Sequence, residues 1–322
     1  MTDEIDVLSH APECDQAIRD FLAALPHHPT DWDHALSPAD QVEILRQGFL
    51  ETESDAWLVA SGGGRTIGLA SMRRLAWDTQ FFGRTMGIVD LLRTDDPTAA
   101  GTLVSAIGRA ALALGISHLR HYVDARDTTV SRALQHAGWR VAGGYLRMVA
   151  ATASMPDREF PVRRGDLEVI DTHPDHLSAL TEVASRLPAY NWLEREVGLR
   201  PDRRDLYVST RLRNCVDADF ADICVTLLRN GRPVGFNASK LVHHAGMPGG
   251  RPHSVERDTF VDSAAVPGSA WVLLEGVSAR LKGLVRYVTG RVGLEAVAMQ
   301  RLVAKFGYES RGAEYCMTWS KP

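Results

Sequence analysis

Two stretches of the sequence share one pattern and start 167 residues apart. Residues 55–69 read DAWLVASGGGRTIGL and residues 222–236 read DICVTLLRNGRPVGF. Each is an apolar strand, a turn ending Gly-Arg, one further residue, then Ile or Val, Gly and a large apolar side chain. Gly-Gly and Asn-Gly supply the positive φ that a tight hairpin turn demands, so each copy opens its sheet with a β-hairpin. A second match follows at an offset of 169: RALQHAGWRVAG (132–143) and RLVAKFGYESRG (301–312). In both, an apolar-periodic helix ends at a Gly suited to terminate it, and an aromatic residue comes next. A closing strand follows, YLRMVA in one copy and EYCMTW in the other. Two matches in the same order at nearly one spacing mark a tandem repeat, and no other feature constrains the fold as much. The 322 residues also exceed what one hydrophobic core usually serves.

Between the matched ends each copy carries a strand, a helix and a strand. In the first these are TMGIVDLLR, residues 97–114 and SHLRHYVDA; in the second, HSVERDTFVDSAAV, residues 271–282 and LVRYVTG. Two more helices, 174–186 and 203–215, precede the second hairpin. The expected fold is α/β, with two tandem mixed domains, each a twisted, mostly antiparallel sheet flanked by helices. The expected division is a domain over 1–150, a polar, Pro-containing linker over 151–165 and a domain over 166–322.

The formal net charge of −4 gives no global field that recruits nucleic acid or membrane. The first ten residues lack the apolar stretch of a signal peptide, and no apolar run is long enough to span a bilayer. Cys14, Cys215, Cys224 and Cys316 are scattered without metal-ligand or redox spacing, as in a reduced cytoplasmic protein, and no metal site is expected.

The element order, with NGRPVGF at the hairpin and QRLVAKFGY near the end, resembles the GNAT (GCN5-related N-acetyltransferase) superfamily. AWDTQFFG (76–83) resembles the Trp-Asp-x-x-Phe-Phe-Gly block of the dTDP-fucosamine acetyltransferase subgroup. Residues 189–225 resemble the two helices before that subgroup's catalytic hairpin. The resemblance implies a degenerate N-terminal half and a C-terminal half that binds acyl-CoA, acetyl-CoA first. The implied activity is acyl transfer to the amine of a small molecule, such as an amino sugar or a natural-product intermediate, by a monomer or homodimer.

A GNAT loop reads Arg/Gln-x-x-Gly-x-Gly/Ala between the central strand and the next helix. Its backbone N–H groups and the helix dipole hold the coenzyme A pyrophosphate. Here Ala265 falls in the Arg/Gln slot, Gly268 in the first Gly slot and Ala270 in the second, and Pro267 removes one donor. Val266, Gly268, Ser269, Ala270 and Trp271 are the expected cofactor contacts; a plain strand-to-helix turn is the competing reading. The first copy has LLRTDDPTAAGTL there, whose two acidic residues would repel a phosphate.

The family often carries a Tyr on the last helix that protonates the departing thiolate, and that slot is Val303 here. Three explanations stay open. The proton comes from water or from another side chain such as Tyr287 or Tyr315; the donor leaves as an alcohol, as from aminoacyl-tRNA; or the site is inactive. Candidate bases are Glu256, Asp258 and Asp262. The neighbours of Glu256 and Asp258 alternate, which predicts that both point to one face. Tyr190, Asn191 and Trp192 form an amphipathic wall suited to a polar acceptor, and His243 and His244 precede a Gly/Pro-rich loop. Arginine runs at 195–213 and 280–291 are either solvated helix faces or contacts for CoA phosphates or tRNA. Three functions are therefore open: an acyl-CoA-dependent N-acyltransferase, a transferase using an aminoacyl-tRNA or carrier-protein donor, or a non-catalytic binding protein.

Overall fold

The computed structural model describes residues 6–9, 15–25, 36–51, 54–186, 201–218, 220–243, 253–262 and 268–321. They form two compact units. Unit 1 draws on Met1–Gly144 and Ala313–Pro322, and unit 2 on Tyr145–Glu194 and Leu199–Gly312.

The N-terminal half runs β1 (Asp6–Ser9), α1 (Asp15–Ala24), α2 (Pro38–Glu51), the hairpin β2 (Ala56–Gly62) and β3 (Arg65–Arg74), α3 (Ala76–Phe82), β4 (Met86–Arg93), α4 (Pro97–Ala113), β5 (His118–Asp124), α5 (Thr128–His136) and β6 (Arg140–Ala151). The second half runs β7 (Val162–Arg164), β8 (Leu167–Asp171), α6 (Leu177–Arg186), α7 (Pro201–Asp217), the hairpin β9 (Ile223–Arg229) and β10 (Arg232–Val242), β11 (His253–Val261), α8 (Ser269–Leu281), β12 (Tyr287–Gly293), α9 (Val297–Lys305) and β13 (Glu309–Ser320). Both hairpins turn on residues with positive φ: Gly63 and Gly64 in one, Asn230 and Gly231 in the other.

The strand order is β1-β2-β3-β4-β5-β13 in unit 1 and β6-β12-β11-β10-β9-β8-β7 in unit 2. The closing strand of each half thus lies in the other unit's sheet. β13 runs antiparallel to β5 with Cys316 opposite Tyr122, and β6 runs antiparallel to β12 with Met148 opposite Gly290. Met317 is fully buried in the unit 1 core, and Met148 and Ala150 are buried in that of unit 2. The two closing strands follow the same helix-ending turn and are both apolar, so their local sequence does not say whose sheet they complete.

The stretch expected as a linker is fixed to unit 2. Thr152–Ser154 forms a 3-10 turn, β7 pairs with β8, and Arg164 and Arg158 reach Glu275 of α8 at 2.7 and 3.3 Å. Asp157 pairs with Lys282 at the end of the same helix.

Each sheet is covered on both faces. In unit 1, α4 packs with Leu92, Leu119 and Met317, while α1 and α2 pack with Val59, Leu69 and Leu91. In unit 2, α8 packs with Val225, Leu227 and Val288, and α6 and α7 pack with Phe236 and Ala238 on the opposite face. α8 approaches closely because it carries Gly276, where a Cβ would run into the side chain of Val169. AWDTQFFG forms α3, with Trp77 stacked on Phe81 at 5.1 Å and Asp78 beside Arg120 at 3.4 Å.

Candidate active site

Strand β11 carries the acidic residues and leads to α8. Its register against β10 shifts: neighbours Ala238 and Ser239 face Asp258 and Glu256, so position 257 is an extra residue, a β-bulge. The bulge overturns the expectation that Glu256 and Asp258 share a face. Asp258 accepts a hydrogen bond from Arg211 Nε of α7 at 2.6 Å, on the α6/α7 side. Glu256 faces the α8 side, where Tyr308 Oη donates to its Oε1 at 3.1 Å. A Cβ on Gly290 would come 2.7 Å from Glu256 Oε2, so only glycine in β12 leaves this carboxylate its place.

Glu256 is half-buried. Removal of its carboxylate from water raises the pKa to about 7, against the opposing pull of the Tyr308 hydrogen bond. Burial, then the Glu256 charge, pushes the Tyr308 phenol well above its usual range, so it stays a proton donor near neutrality. A carboxyl that exchanges its proton near pH 7 is suited to general base work.

Glu256 also stands where two parallel strands part. β11 and β12 pair only over Ser254–Val288 and Val255–Thr289, although each keeps its outer partner along its whole length. From Glu256 and Gly290 onward the inner edges carry no ladder. In unit 1 the corresponding β4–β5 ladder extends further, over four rows from Met86–His118 to Val89–His121. The same bulge occurs there, with Ser71 and Met72 facing Leu91 and Val89. Val89 therefore occupies the place of Glu256, and Trp139 that of Tyr308. Tyr308 N donates to Val303 O and Trp139 N to Leu134 O, each at 3.0 Å. The polar pair of unit 2 corresponds to an apolar pair in the core of unit 1.

The helix starts differ in the same sense. Asp96 caps α4, its Oδ1 accepting from Thr98 N at 2.7 Å and Ala99 N at 2.8 Å, so a carboxylate of the chain already fills that anion position. α8 starts after Gly268, whose φ of 81° an L side chain rarely adopts, and no side chain among the described residues caps it. The amides of Ser269 and Ala270 open the helix and have no acceptor within it. Ser269 is fully buried and its Oγ has no partner among the described residues. These groups suit a phosphate.

The remaining expected residues divide. Ala270 and Trp271 are half-buried in the first turn of α8, Trp271 edge-on to Phe306 at 5.1 Å. Asp262 stands 3.9 Å from Arg186 at the end of α6. His243 is exposed at the end of β10. Tyr315 lies on the exchanged part of β13, opposite Val123 and against the unit 1 core. Val303 is buried in the unit 2 core and offers no proton. Tyr190, Asn191, Trp192, His244 and Val266 lie outside the described residues.

Arg280 and Lys282 sit at the C-terminal end of α8, paired with Asp171 and Asp157. They stand about 20 Å from Gly268 at 1.5 Å per residue, so they do not reach a phosphate at the helix start. Tyr308 went unassigned in the sequence, although the aromatic after the helix-ending Gly is part of the repeat. Its polar role is visible only as a difference from Trp139. Among the described residues no helix is long and apolar enough to cross a membrane, and no cluster of three acidic, His or Cys side chains is placed to hold a metal.

No family model and no curated protein matches this sequence. Solved structures do resemble it. A GCN5-related N-acetyltransferase from Sphaerobacter thermophilus superposes with a TM-score of 0.60 at 16% identity, covering 99% of this chain and 96% of that one. A tandem GNAT protein from the clavulanic acid biosynthesis pathway superposes with a TM-score of 0.57 at 14% identity, covering 99% of both. A GCN5-related glucosamine N-acetyltransferase region of a fungal multi-domain β-N-acetylglucosaminidase has a TM-score of 0.57 at 12% identity, covering 99% of this chain and 38% of that one. At these identities the likeness is one of fold, and it extends along the whole chain: this protein has the tandem GNAT fold.

Proposed function

We propose that the protein is an N-acyltransferase that moves an acyl group, acetyl first, from acyl-CoA to the amine of a small molecule, with the chemistry in unit 2. The observation that carries this reading is the contrast between the two halves. Unit 2 has a ladder that opens at a titratable carboxylate and a helix start without a side-chain cap among the described residues. Unit 1 has a longer ladder, a Val–Trp pair and a helix start filled by Asp96.

The amides of Ser269 and Ala270 would hold the pyrophosphate, and the unpaired edges of β11 and β12 offer main-chain partners to the pantetheine amides. Glu256 takes the proton of the attacking amine, directly or through one water. As the tetrahedral intermediate collapses, the C–S bond breaks and the thiolate leaves with a proton from water or from the Glu256 carboxyl. With valine at 303, that carboxyl is the group in unit 2 best placed to return what it took.

The acceptor is proposed to be an amino sugar or a related natural-product amine. The resemblance of residues 76–83 and 189–225 to dTDP-fucosamine acetyltransferases supports trying amino sugars first, as do the glucosamine and clavulanic acid contexts of two fold relatives. Acetyl-CoA is expected to raise the Tm in a saturable way, and free CoA to compete. If no acyl-CoA shifts the Tm, this reading fails. A shift with aminoacyl-tRNA instead, steeply dependent on salt, would replace it with the tRNA-donor reading.

A further inference from the structure

We propose that Tyr308 is a positioning residue for Glu256, its phenol holding the carboxylate at the row where β11 and β12 part and keeping it able to accept a proton. The inference rests on the acyltransferase reading for its purpose, and on four observations for its geometry.

Tyr308 is buried and donates to Glu256 Oε1 at 3.1 Å. Its backbone is set by the turn after α9, where Tyr308 N donates to Val303 O at 3.0 Å. The carboxylate is confined on its other side by Gly290, where any Cβ would press on Oε2. Where the repeat has no carboxylate, at Val89, it has no phenol either, and Trp139 fills the same turn. The phenol and the carboxylate are thus present together or absent together.

Few of the described groups face Glu256. Tyr308 comes from the turn before β13, Ser239 from β10 directly opposite in register, and Gly290 from β12. Ser239 turns its hydroxyl to Asn237 Oδ1 at 3.2 Å. Arg147 and Arg291, paired across β6 and β12, lie on the other face by strand alternation, as Asp258 does through the bulge. The phenol is therefore the one described group that favours the ionised carboxylate, while loss of water favours the protonated form. Removing the phenol leaves desolvation unopposed.

The test reads Glu256 itself. The full-length protein is labelled with glutamate carrying 13C at the carboxyl, and the Glu256 resonance is assigned by its loss in Glu256→Gln. Tyr308→Phe, which keeps the ring, is expected to move the titration midpoint upward by about one unit. That makes the ionised fraction roughly tenfold smaller below the midpoint. Fluorotyrosine incorporation, which makes the phenol a stronger donor without changing its packing, is expected to move the midpoint downward.

In turnover, Tyr308→Phe is expected to shift the acid limb of kcat/KM upward, with the rate recovering at higher pH and KM for acyl-CoA unchanged. A packing defect would lower the rate equally at every pH. A midpoint that stays in place in both proteins overturns the proposal. Because the resonance titrates whether or not any amine is acylated, that outcome is distinct from failure of the acyltransferase reading.

Discussion

Two carboxylates two positions apart on β11 have opposite physical fates. Glu256 is desolvated with a phenol for company, while Asp258 is committed to Arg211. Glu256→Gln is expected to lower kcat by about 10²–10⁴-fold, the usual worth of a general base, and to remove the acid limb near pH 7 from the rate profile.

The same substitution has a stability signature. The folded-state pKa is raised above the unfolded value, so the folded protein binds more protons between the two. Stability from this group is full below the unfolded pKa and is lost as pH rises through about 7. Glu256→Gln should therefore be more stable than the parent at pH 8, by on the order of 2 kcal/mol, with the difference gone by about pH 4, below the unfolded pKa. Thermal melts at the two pH values check it. Asp258→Asn is expected to do the reverse, costing about 1–3 kcal/mol by removing the carboxylate charge that Arg211 is paired with, and leaving the acid limb in place. That both carboxylates belong to β11 is legible in the sequence. That they diverge is not, because the bulge is set by pairing with β10, and a shift of one residue reverses every later side chain.

At the scale of elements, the two helix starts make opposite predictions. Asp96→Ala removes the cap of α4 and should cost about 1 kcal/mol of unit 1 stability without changing the Tm shift produced by acetyl-CoA. Gly268→Ala forces an L side chain into left-handed backbone at about 1–2 kcal/mol and should weaken that shift, since the amides next to it are the proposed phosphate ligands. Differential scanning fluorimetry with and without acetyl-CoA separates the two.

Gly276→Ala places a methyl group against Val169 in the α8–sheet contact and is expected to destabilise by about 1–3 kcal/mol. Most elements were legible: the hairpins, the helix that became α8 and the turn after α9 follow from periodicity and turn residues. The N-terminal α1 and α2 were not anticipated. Ile18, Phe21, Leu22 and Leu25, and then Val42, Leu45 and Phe49, do recur at helical spacing, but that they cover the face of β2, β3 and β4 is decided only by the tertiary structure.

For the molecule as a whole, the exchanged strands decide what a fold unit is. A fragment of residues 166–322 contains the proposed site but lacks β6 and β7, and with them Met148, Ala150, Met155 and Val162 of the unit 2 core. It is expected to express poorly or to melt without a cooperative transition. A fragment of residues 145–312 retains the core strands of unit 2 and is expected to melt cooperatively. Circular dichroism melts of both fragments provide the comparison.

What the sequence determined by itself is the repeat: two copies of one strand–helix order, because hairpin turns, helix-ending glycines and apolar periods are local and survive divergence. From those alone follows the tandem α/β class; the candidate roles of Glu256 and of Gly268 through Trp271 came only through the resemblance to the GNAT superfamily. The tertiary structure decided what depends on partners distant in the chain. It sent each closing strand, and Tyr315 with it, to the other unit's sheet; it turned Asp258 away from Glu256; and it brought Tyr308 to Glu256. Each is a choice among backbone pairings that the local residues permit equally, settled by which apolar faces and buried polar groups the assembled sheet could satisfy.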